Sequence, residues 1–465
     1  MSATIEVMSP YSGEVVGEAP RAGSAELERA LTAAVVARDA MRRLPLHARA
    51  AALREAAGAV ERDVEELGRL ITAEQGKTRA EAEAEAVRIP GILRLCAEEA
   101  ARLGGELLPM DAAPASVGRL GYTRPYPAGI VAAITPFNYP AILVTHKIGP
   151  ALAAGNAVVL KPATSTPLTA LFLVERLAAS GLPDGAIQCL VGSGAHIGAA
   201  LCADERVRMV TFTGSHAAGE AIARTAGAKR LACELGSNAA LVVLEDADVD
   251  LAARAIGHSG FTNAGQNCVS TQRVIVHRAR RDELIDRLLA EVDAKAPGDP
   301  ALATTTLGPV IDRREAERVV TWLGEARQLG AELLRGGGRD GGVVEPALVL
   351  EPPPNARVWR DELFGPAVAV RSVGSDEEAL ALANDSRYGL ACTVLTRSLD
   401  RAMRFADELD VGMVGVNSPL GATWRSDFMP WGGVADSGFG REGVRYAVRE
   451  MSAPRLVVLH PEQTG

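Results

Sequence analysis

Along the first hundred residues, apolar side chains recur at three- and four-residue spacing. SAELERALTAAVVARDAMRRL predicts a helix with Ser24 at its N-cap and Glu26 and Glu28 in its first turn. RAAALREAAGAVERDVEELGRLITAEQGKT continues as one or two amphipathic helices. RAEAEAEAVRIPGILRLCAEEAARL follows, with Pro90 marking a kink. The pattern then changes to short apolar runs alternating with helical segments. AGIVAAITP, NAVVLKP, AIQCLVG and VRMVTFTG read as strands. PAILVTHKIGPALAAG, TPLTALFLVERLAASG, AHIGAALCA and AAGEAIARTA read as the helices between them, the second opened by Thr164, Thr166 and Pro167. RLACELG and AALVVLE close the run. Such alternation implies a parallel, doubly wound sheet. From DVDLAARAIGHSGF the pattern restarts, through TQRVIVH, RRDELIDRLLAEVDAK, EPALVLE, PAVAVRSV and ACTVLTR, as a second α/β domain. EPPPNA and RGGGRDGGV read as surface loops.

A chain of 465 residues has room for two or three domains at roughly 100–200 residues each. The net charge is −9, and the 49 Lys and Arg are dispersed rather than gathered. This argues against a nucleic-acid groove and a membrane-binding face. No uncharged apolar stretch approaches the roughly 20 residues of a membrane helix; AGIVAAITPFNYPAILV is broken by prolines and Asn138. MSATIEVMSPYSGEVV carries no signal-peptide pattern. Six scattered cysteines without a CxxC pair suggest reduced thiols and the cytoplasm. The seven histidines form no HExxH, so no metal site is expected.

Several residues could carry chemistry. Cys268, in FTNAGQNCVS, is either a nucleophile or one more inert buried thiol. Glu234, in LACELGSNAA, is either a general base or a salt-bridged strand end. Asn138, in AAITPFNYP, is either an oxyanion donor or a turn asparagine. Lys161 ends the strand NAVVLKP, where a doubly wound sheet can meet a nucleotide. Gly214 and Ser215 form a strand–helix turn whose N–H groups can meet phosphate. It is neither GxGxxG nor GxxxxGK[ST]. GSGAHIG is a second glycine-rich turn. In DELFGPAVAV, Glu362 can bind ribose hydroxyls and Phe364 can lie beside a flat ring.

Taken in order, ITPFNYP, GNAVVLKPA, FTGS, CELGSNA, NAGQNC, ELFGPAV, ANDSRYGLA and PWGGVADSGFGREG resemble the NAD(P)-dependent aldehyde dehydrogenase superfamily over nearly the whole chain. The branch they resemble contains lactaldehyde, phosphonoacetaldehyde and non-phosphorylating glyceraldehyde-3-phosphate dehydrogenases. The resemblance implies an aldehyde dehydrogenase-like α/β fold with two doubly wound domains and a small β oligomerisation element. It implies residues 1–108 and 128–237 for cofactor binding, with 436–451 returning to them. Residues 238–435 would form the catalytic domain. Residues 109–127 and 452–465 would form the oligomerisation element, pairing SVGRLGYTRPYPAG with APRLVVLH in a homodimer or homotetramer.

By the same resemblance, Cys268 is the nucleophile, Glu234 the general base and Asn138 the oxyanion donor, with Lys147 near the catalytic centre. Thr135, Pro136, Lys161, Thr164, Gly214, Ser215, Gly236, Glu362 and Phe364 would bind the cofactor, NADP or NAD. Two departures are informative. Ser237 stands at the second glycine of the frequent ELGG. Thr164 stands where strongly NAD-preferring members often have glutamate. A carboxylate there repels a 2′-phosphate, so threonine implies that NADP is accepted. Arg88, Tyr139 and Arg425 match contacts in relatives that act on phosphorylated aldehydes. Arginine suits an anionic tail because its planar fork gives paired hydrogen bonds. Asn267 replaces the arginine that such relatives often place before the cysteine, and Trp424 would wall the tunnel and favour a short substrate. The expected substrate is a small aldehyde with a phosphate, phosphonate, sulfonate or carboxylate tail. The rival functions are a CoA-acylating aldehyde dehydrogenase and a non-catalytic binding protein that retains the fold. Intact Cys268, Glu234 and Asn138 disfavour both.

Overall fold

The computed structural model describes residues 4–418 and 426–460. Four helices, Ser24–Arg43, Leu46–Arg62, Val64–Gln75 and Arg79–Arg102, occupy the N-terminal region. The first begins one residue earlier than expected. Gly23, not Ser24, is its N-cap, because the Glu26 carboxylate reaches back to the Gly23 N–H at 2.8 Å. The fourth runs past Pro90 as one helix. Its start is set by Thr78, whose hydroxyl accepts from the Glu81 N–H while Glu81 accepts from the Thr78 N–H.

Two sheets follow. The first has six strands in the order Gly438–Phe439, Arg230–Glu234, Met209–Thr213, Ile130–Ile134, Ala157–Lys161, Ile187–Cys189. All pair in parallel except the Gly438–Phe439 edge. The chain moves outward from Ile130–Ile134 through Ala157–Lys161 to Ile187–Cys189. It then crosses to Met209–Thr213 on the opposite side of Ile130–Ile134. The strand order reverses between Ile130–Ile134 and Met209–Thr213, and a crevice opens beyond their C-terminal ends.

The second sheet has seven strands, in the order Glu332–Arg335, Ala347–Leu350, Ala367–Val373, Arg273–His277, Ala240–Val243, Ala391–Leu395, Met413–Val416. Only Glu332–Arg335 is antiparallel. Its strands read as unbroken apolar runs because helices cover both faces. One buried cluster joins the N-terminal helices to the first sheet and takes in Val444, Val448 and Met451 from near the C-terminus. A separate cluster fills the second sheet, from Ala239 to Leu409.

A third sheet pairs Ser452–Leu459 antiparallel with Leu120–Pro127, and Leu120–Pro127 with Leu107–Leu108. Leu107, Leu120, Leu456 and Leu459 are exposed on it. The stretch expected as a plain loop, RGGGRDGGV, holds a short hairpin of Arg339–Asp340 and Val343–Val344. No helix among the described residues is long and apolar enough to cross a membrane.

Candidate active site

A cleft of about 390 Å³ occupies the crevice of the first sheet. Pro136, Phe137 and Asn138 enter it from the end of Ile130–Ile134, and Gly214 and Ser215 from the end of Met209–Thr213. Gly236 enters just past the end of Arg230–Glu234, and Cys268, Glu362 and Phe364 face it from the second sheet's side. Eight of the expected site residues therefore meet on one cavity. Phe364 packs edge-on against Phe137, with ring centroids 5.9 Å apart.

The cleft fits a dinucleotide. Ser215 caps the eleven-residue helix His216–Ala226, accepting from the Ala218 N–H at 3.4 Å, so the positive end of that helix opens toward the cavity. The hydroxyls of Thr135 and Thr213 are buried without a partner. Glu362 accepts one hydrogen bond, from the Ser237 N–H at 2.8 Å, and burial pushes its carboxyl up to about 7. A Cβ at Gly236 would lie 2.3 Å from Glu362 Oε2, so a side chain there would push the carboxylate from this position.

Lys161 and Thr164 do not line the cleft. The Thr135 N–H donates to the Lys161 carbonyl, which ties the two strand ends together. Lys161 is buried, its Nζ donates to the Pro162 carbonyl at 2.9 Å, and burial lowers its ammonium to about 8. Thr164 is exposed. The helix beyond it, Pro167–Ala178, receives no cap from Thr166. Its first free N–H groups, of Leu168 and Thr169, donate instead to the buried Glu74 carboxylate at 2.7 and 2.8 Å.

Cys268 is half-buried and precedes the strand Arg273–His277. Burial raises its thiol well above the ordinary range, and Glu362 and Glu234 push in the same direction. Asn138 is buried; its Nδ2 donates to the Gln266 carbonyl at 3.0 Å, leaving its second N–H uncommitted to that bond. Glu234 and Lys147 do not line the cleft. Glu234 is buried at the end of Arg230–Glu234, and neither carboxylate oxygen has a hydrogen-bond partner. A Cβ on Gly432 would sit 2.6 Å from Oε1, so the backbone lies directly against it. Burial raises the Glu234 carboxyl well above the usual range and Glu442 adds to this, while Lys147 opposes it. Lys147 is fully buried, donating to Glu442 and to Thr211 Oγ1. Glu442 escaped notice in the sequence, where its only signal was an acid inside SGFGREG.

A second cavity of about 460 Å³ lies on the other side of the cysteine loop. Arg88, Tyr139 and Asn267 line it. The neighbours Asn267 and Cys268 thus border different cavities, one on each side of the nucleophile candidate. Asn267 Nδ2 donates to the Tyr139 hydroxyl at 3.3 Å. Arg88 is paired with Asp427 at 2.5 Å. Lys77, Glu85 and Asp427 also line this cavity and were not singled out from the sequence. Trp424 and Arg425 lie outside the described residues. No group of His, Cys, Asp and Glu able to hold a metal ion occurs among the described residues.

Residues 1–457 match the family model described as the aldehyde dehydrogenase family. Aspartate-semialdehyde dehydrogenase 1 of Pseudomonas canavaninivorans is 40% identical over 456 residues, spanning 98% of this chain and 96% of that protein. A 3-sulfolactaldehyde dehydrogenase of Priestia aryabhattai is 40% identical over 457 residues, spanning 98% and 95%. A solved structure of glyceraldehyde-3-phosphate dehydrogenase from Methanocaldococcus jannaschii, complexed with NADP, superposes with a TM-score of 0.94 at 33% identity, covering 98% of this chain and 99% of that one.

Proposed function

The chain belongs to the aldehyde dehydrogenase family, and from that premise we propose that Cys268 is the nucleophile with which it oxidises a small aldehyde bearing an anionic tail. The protein is an NAD(P)-dependent oxidoreductase. The observation that carries the residue assignment is the border formed by Asn267 and Cys268, with the cleft of Gly214, Glu362 and Phe364 on one side and the cavity of Arg88, Tyr139 and Asp427 on the other.

The Cys268 thiolate adds to the aldehyde carbon. The resulting oxyanion is met by Asn138 Nδ2–H and the Cys268 backbone N–H. When bound, the nicotinamide supplies the hydride acceptor that converts the adduct to a thioester on Cys268. Glu234, ionised, takes a proton from water as that water attacks the thioester, and the carboxylic acid leaves. The raised Glu234 carboxyl makes it, once ionised, a stronger base than an exposed glutamate. Lys147 and Glu442 hold the base's surroundings. Pro136, Gly214, Ser215, Gly236, Glu362 and Phe364 would hold the nicotinamide and pyrophosphate portion, and Thr135, Lys161 and Thr164 the adenosine ribose side. Thr164 leaves room for a 2′-phosphate, so NADP is accepted.

Arg88 and Tyr139 on the second cavity support an anionic tail. The named relatives act on aspartate semialdehyde and 3-sulfolactaldehyde, which carry a carboxylate and a sulfonate. The two separate cores support a cofactor domain of residues 1–108, 128–237 and 436–451 and a catalytic domain of 238–435. The exposed leucines of the third sheet support its use between subunits. Six cysteines without a disulfide accord with work in the cytoplasm. NAD(P)H absorbance with a panel of carboxylate-, sulfonate- and phosphate-tailed aldehydes beside neutral ones of equal length tests the reading. Oxidation of neutral aldehydes alone would overturn the anionic tail. Absence of turnover by Cys268→Ser beside an active parent is expected.

A further inference from the structure

Asn138 is held from behind by two residues that lie far from it in sequence. Its backbone carbonyl accepts from Lys77 Nζ and from Asn263 Nδ2, both at 2.9 Å. The same Asn263 amide donates to the Gln266 carbonyl at 3.2 Å, which is the atom that accepts from the Asn138 side chain. One amide therefore joins the oxyanion-donor turn to the loop carrying Cys268.

Each of the two is itself clamped. Lys77 is 2% exposed, pairs with the buried Glu85 and stacks 3.7 Å above the Tyr139 ring. Glu85 in turn accepts the N–H groups of Ala141 and Ile142 at 2.9 and 3.0 Å. The ammonium thus grips residues 138 and 139 directly and residues 141 and 142 through its partner. Asn263 accepts from Gln75 Nε2 at 2.9 Å and donates its backbone N–H to Glu81 at 2.7 Å. Asn263, Ala264 and Gly265 are three consecutive left-handed residues, with φ of 53°, 53° and 70°. A non-glycine backbone keeps that conformation only where its surroundings enforce it. Gln75 and Glu81, on either side of the Gly76–Thr78 turn between two helices, do the enforcing.

We infer that Lys77 and Asn263 are positioning residues that fix the Asn138 amide relative to Cys268. The inference rests on the proposed role of Asn138 as oxyanion donor. A displacement near 1 Å at such a donor lowers rate by about 100-fold, while leaving binding of aldehyde and cofactor nearly intact. Because Lys77 also borders the substrate cavity, a direct grip on the aldehyde is the competing account, and the two predict different kinetics.

The test compares the intact enzyme with Lys77→Met, Asn263→Gly, Asn138→Ala and the double variant Lys77→Met/Asn138→Ala, using one aldehyde that the enzyme turns over. Glycine tolerates the left-handed turn, so Asn263→Gly removes the bridging amide without opposing the backbone, and it carries the test if Lys77→Met does not fold. Each is expected to lower kcat by about 10- to 100-fold with aldehyde KM and NAD(P)H affinity, read by fluorescence, changed less than about 3-fold. In the Asn138→Ala background, Lys77→Met is expected to add less than about 3-fold, because its effect passes through Asn138. Losses that multiply in the double variant, or a rise in aldehyde KM at unchanged kcat, overturn the inference while Asn138 keeps its role. Full activity of Asn138→Ala overturns both.

Discussion

The Arg88 guanidinium donates to Asp427 Oδ1 at 2.5 Å, and His146 Nε2 approaches the same oxygen at 3.1 Å. The arginine expected to grip an anionic tail is thus already engaged by a carboxylate on its own cavity wall. A substrate anion competes with Asp427 for that guanidinium. Asp427→Asn is expected to increase selectivity for anion-tailed over neutral aldehydes, and Arg88→Ala to reduce it by about 10-fold or more, the value of one charge-assisted hydrogen bond. The measurement is the ratio of kcat/KM for two aldehydes of equal length. A ratio unmoved by either change would make the pair purely structural.

Cofactor choice is expected to turn on Thr164. Thr164→Glu should lower kcat/KM for NADP by roughly 100-fold and leave NAD turnover within a few-fold, since a new carboxylate repels a 2′-phosphate. Lys161 adds a pH signature. Its ammonium, lowered to about 8 by burial, is lost as pH rises through that value. The NADP-to-NAD ratio of kcat/KM should therefore fall between pH 7 and 9, and a flat ratio would remove Lys161 from 2′-phosphate recognition.

Glu234→Gln separates the two halves of the reaction. Rapid mixing should give a burst of NAD(P)H close to one per active site, followed by turnover slowed about 100- to 10,000-fold, because thioester hydrolysis alone needs the base. In the parent enzyme the hydrolytic step should accelerate with rising pH, as the raised Glu234 carboxyl ionises. A variant that loses the burst as well would show that Glu234 serves the first step.

The sheets were legible because buried parallel strands are written as contiguous apolar runs, and every run from AGIVAAITP to AALVVLE became a strand. That Cys268, Asn138, Gly214 and Glu362 meet on one cleft was legible because they stand in motifs whose order is distinctive. Lys77, Glu85 and Asn263 were not. A lysine in AEQGKT looks like an ordinary solvated helix end, and nothing local tells that its ammonium is buried under residues 138–142. The partner of Asn263 at Gln75 is 188 positions away. Ser24 was misread for a local reason: the capping group is the Glu26 side chain, three residues on, which serves the Gly23 N–H. Contacts closed through space between irregular segments leave no period in the chain, whereas strands and helix faces do.

Glu74 makes stability depend on pH. Its carboxyl is fully buried against the start of Pro167–Ala178, and burial raises it from 4.5 to about 7. A raised folded value means stability that is fully present below pH 4.5 and lost as pH climbs through about 7. The contribution is on the order of 3 kcal/mol between those limits. Glu74→Gln, which cannot ionise, should show a flatter dependence of the denaturant midpoint between pH 5 and 8 than the parent. Parallel curves would mean that the carboxylate stays ionised, held by the Leu168 and Thr169 N–H groups.

The edge strand Gly438–Phe439 joins a sheet whose other strands lie between residues 130 and 234, and the helix Val444–Glu450 packs into the same core. On a ribosome, which releases the chain from its N-terminus, the first sheet stands with one margin open until the second sheet has been made. Phe439 and Cys233 can pair only when almost the whole polypeptide is out. The nascent protein carries an unfinished core past the synthesis of its second sheet. A release-arrested chain ending before residue 436 should recruit chaperones, and extension by the last segment should discharge them.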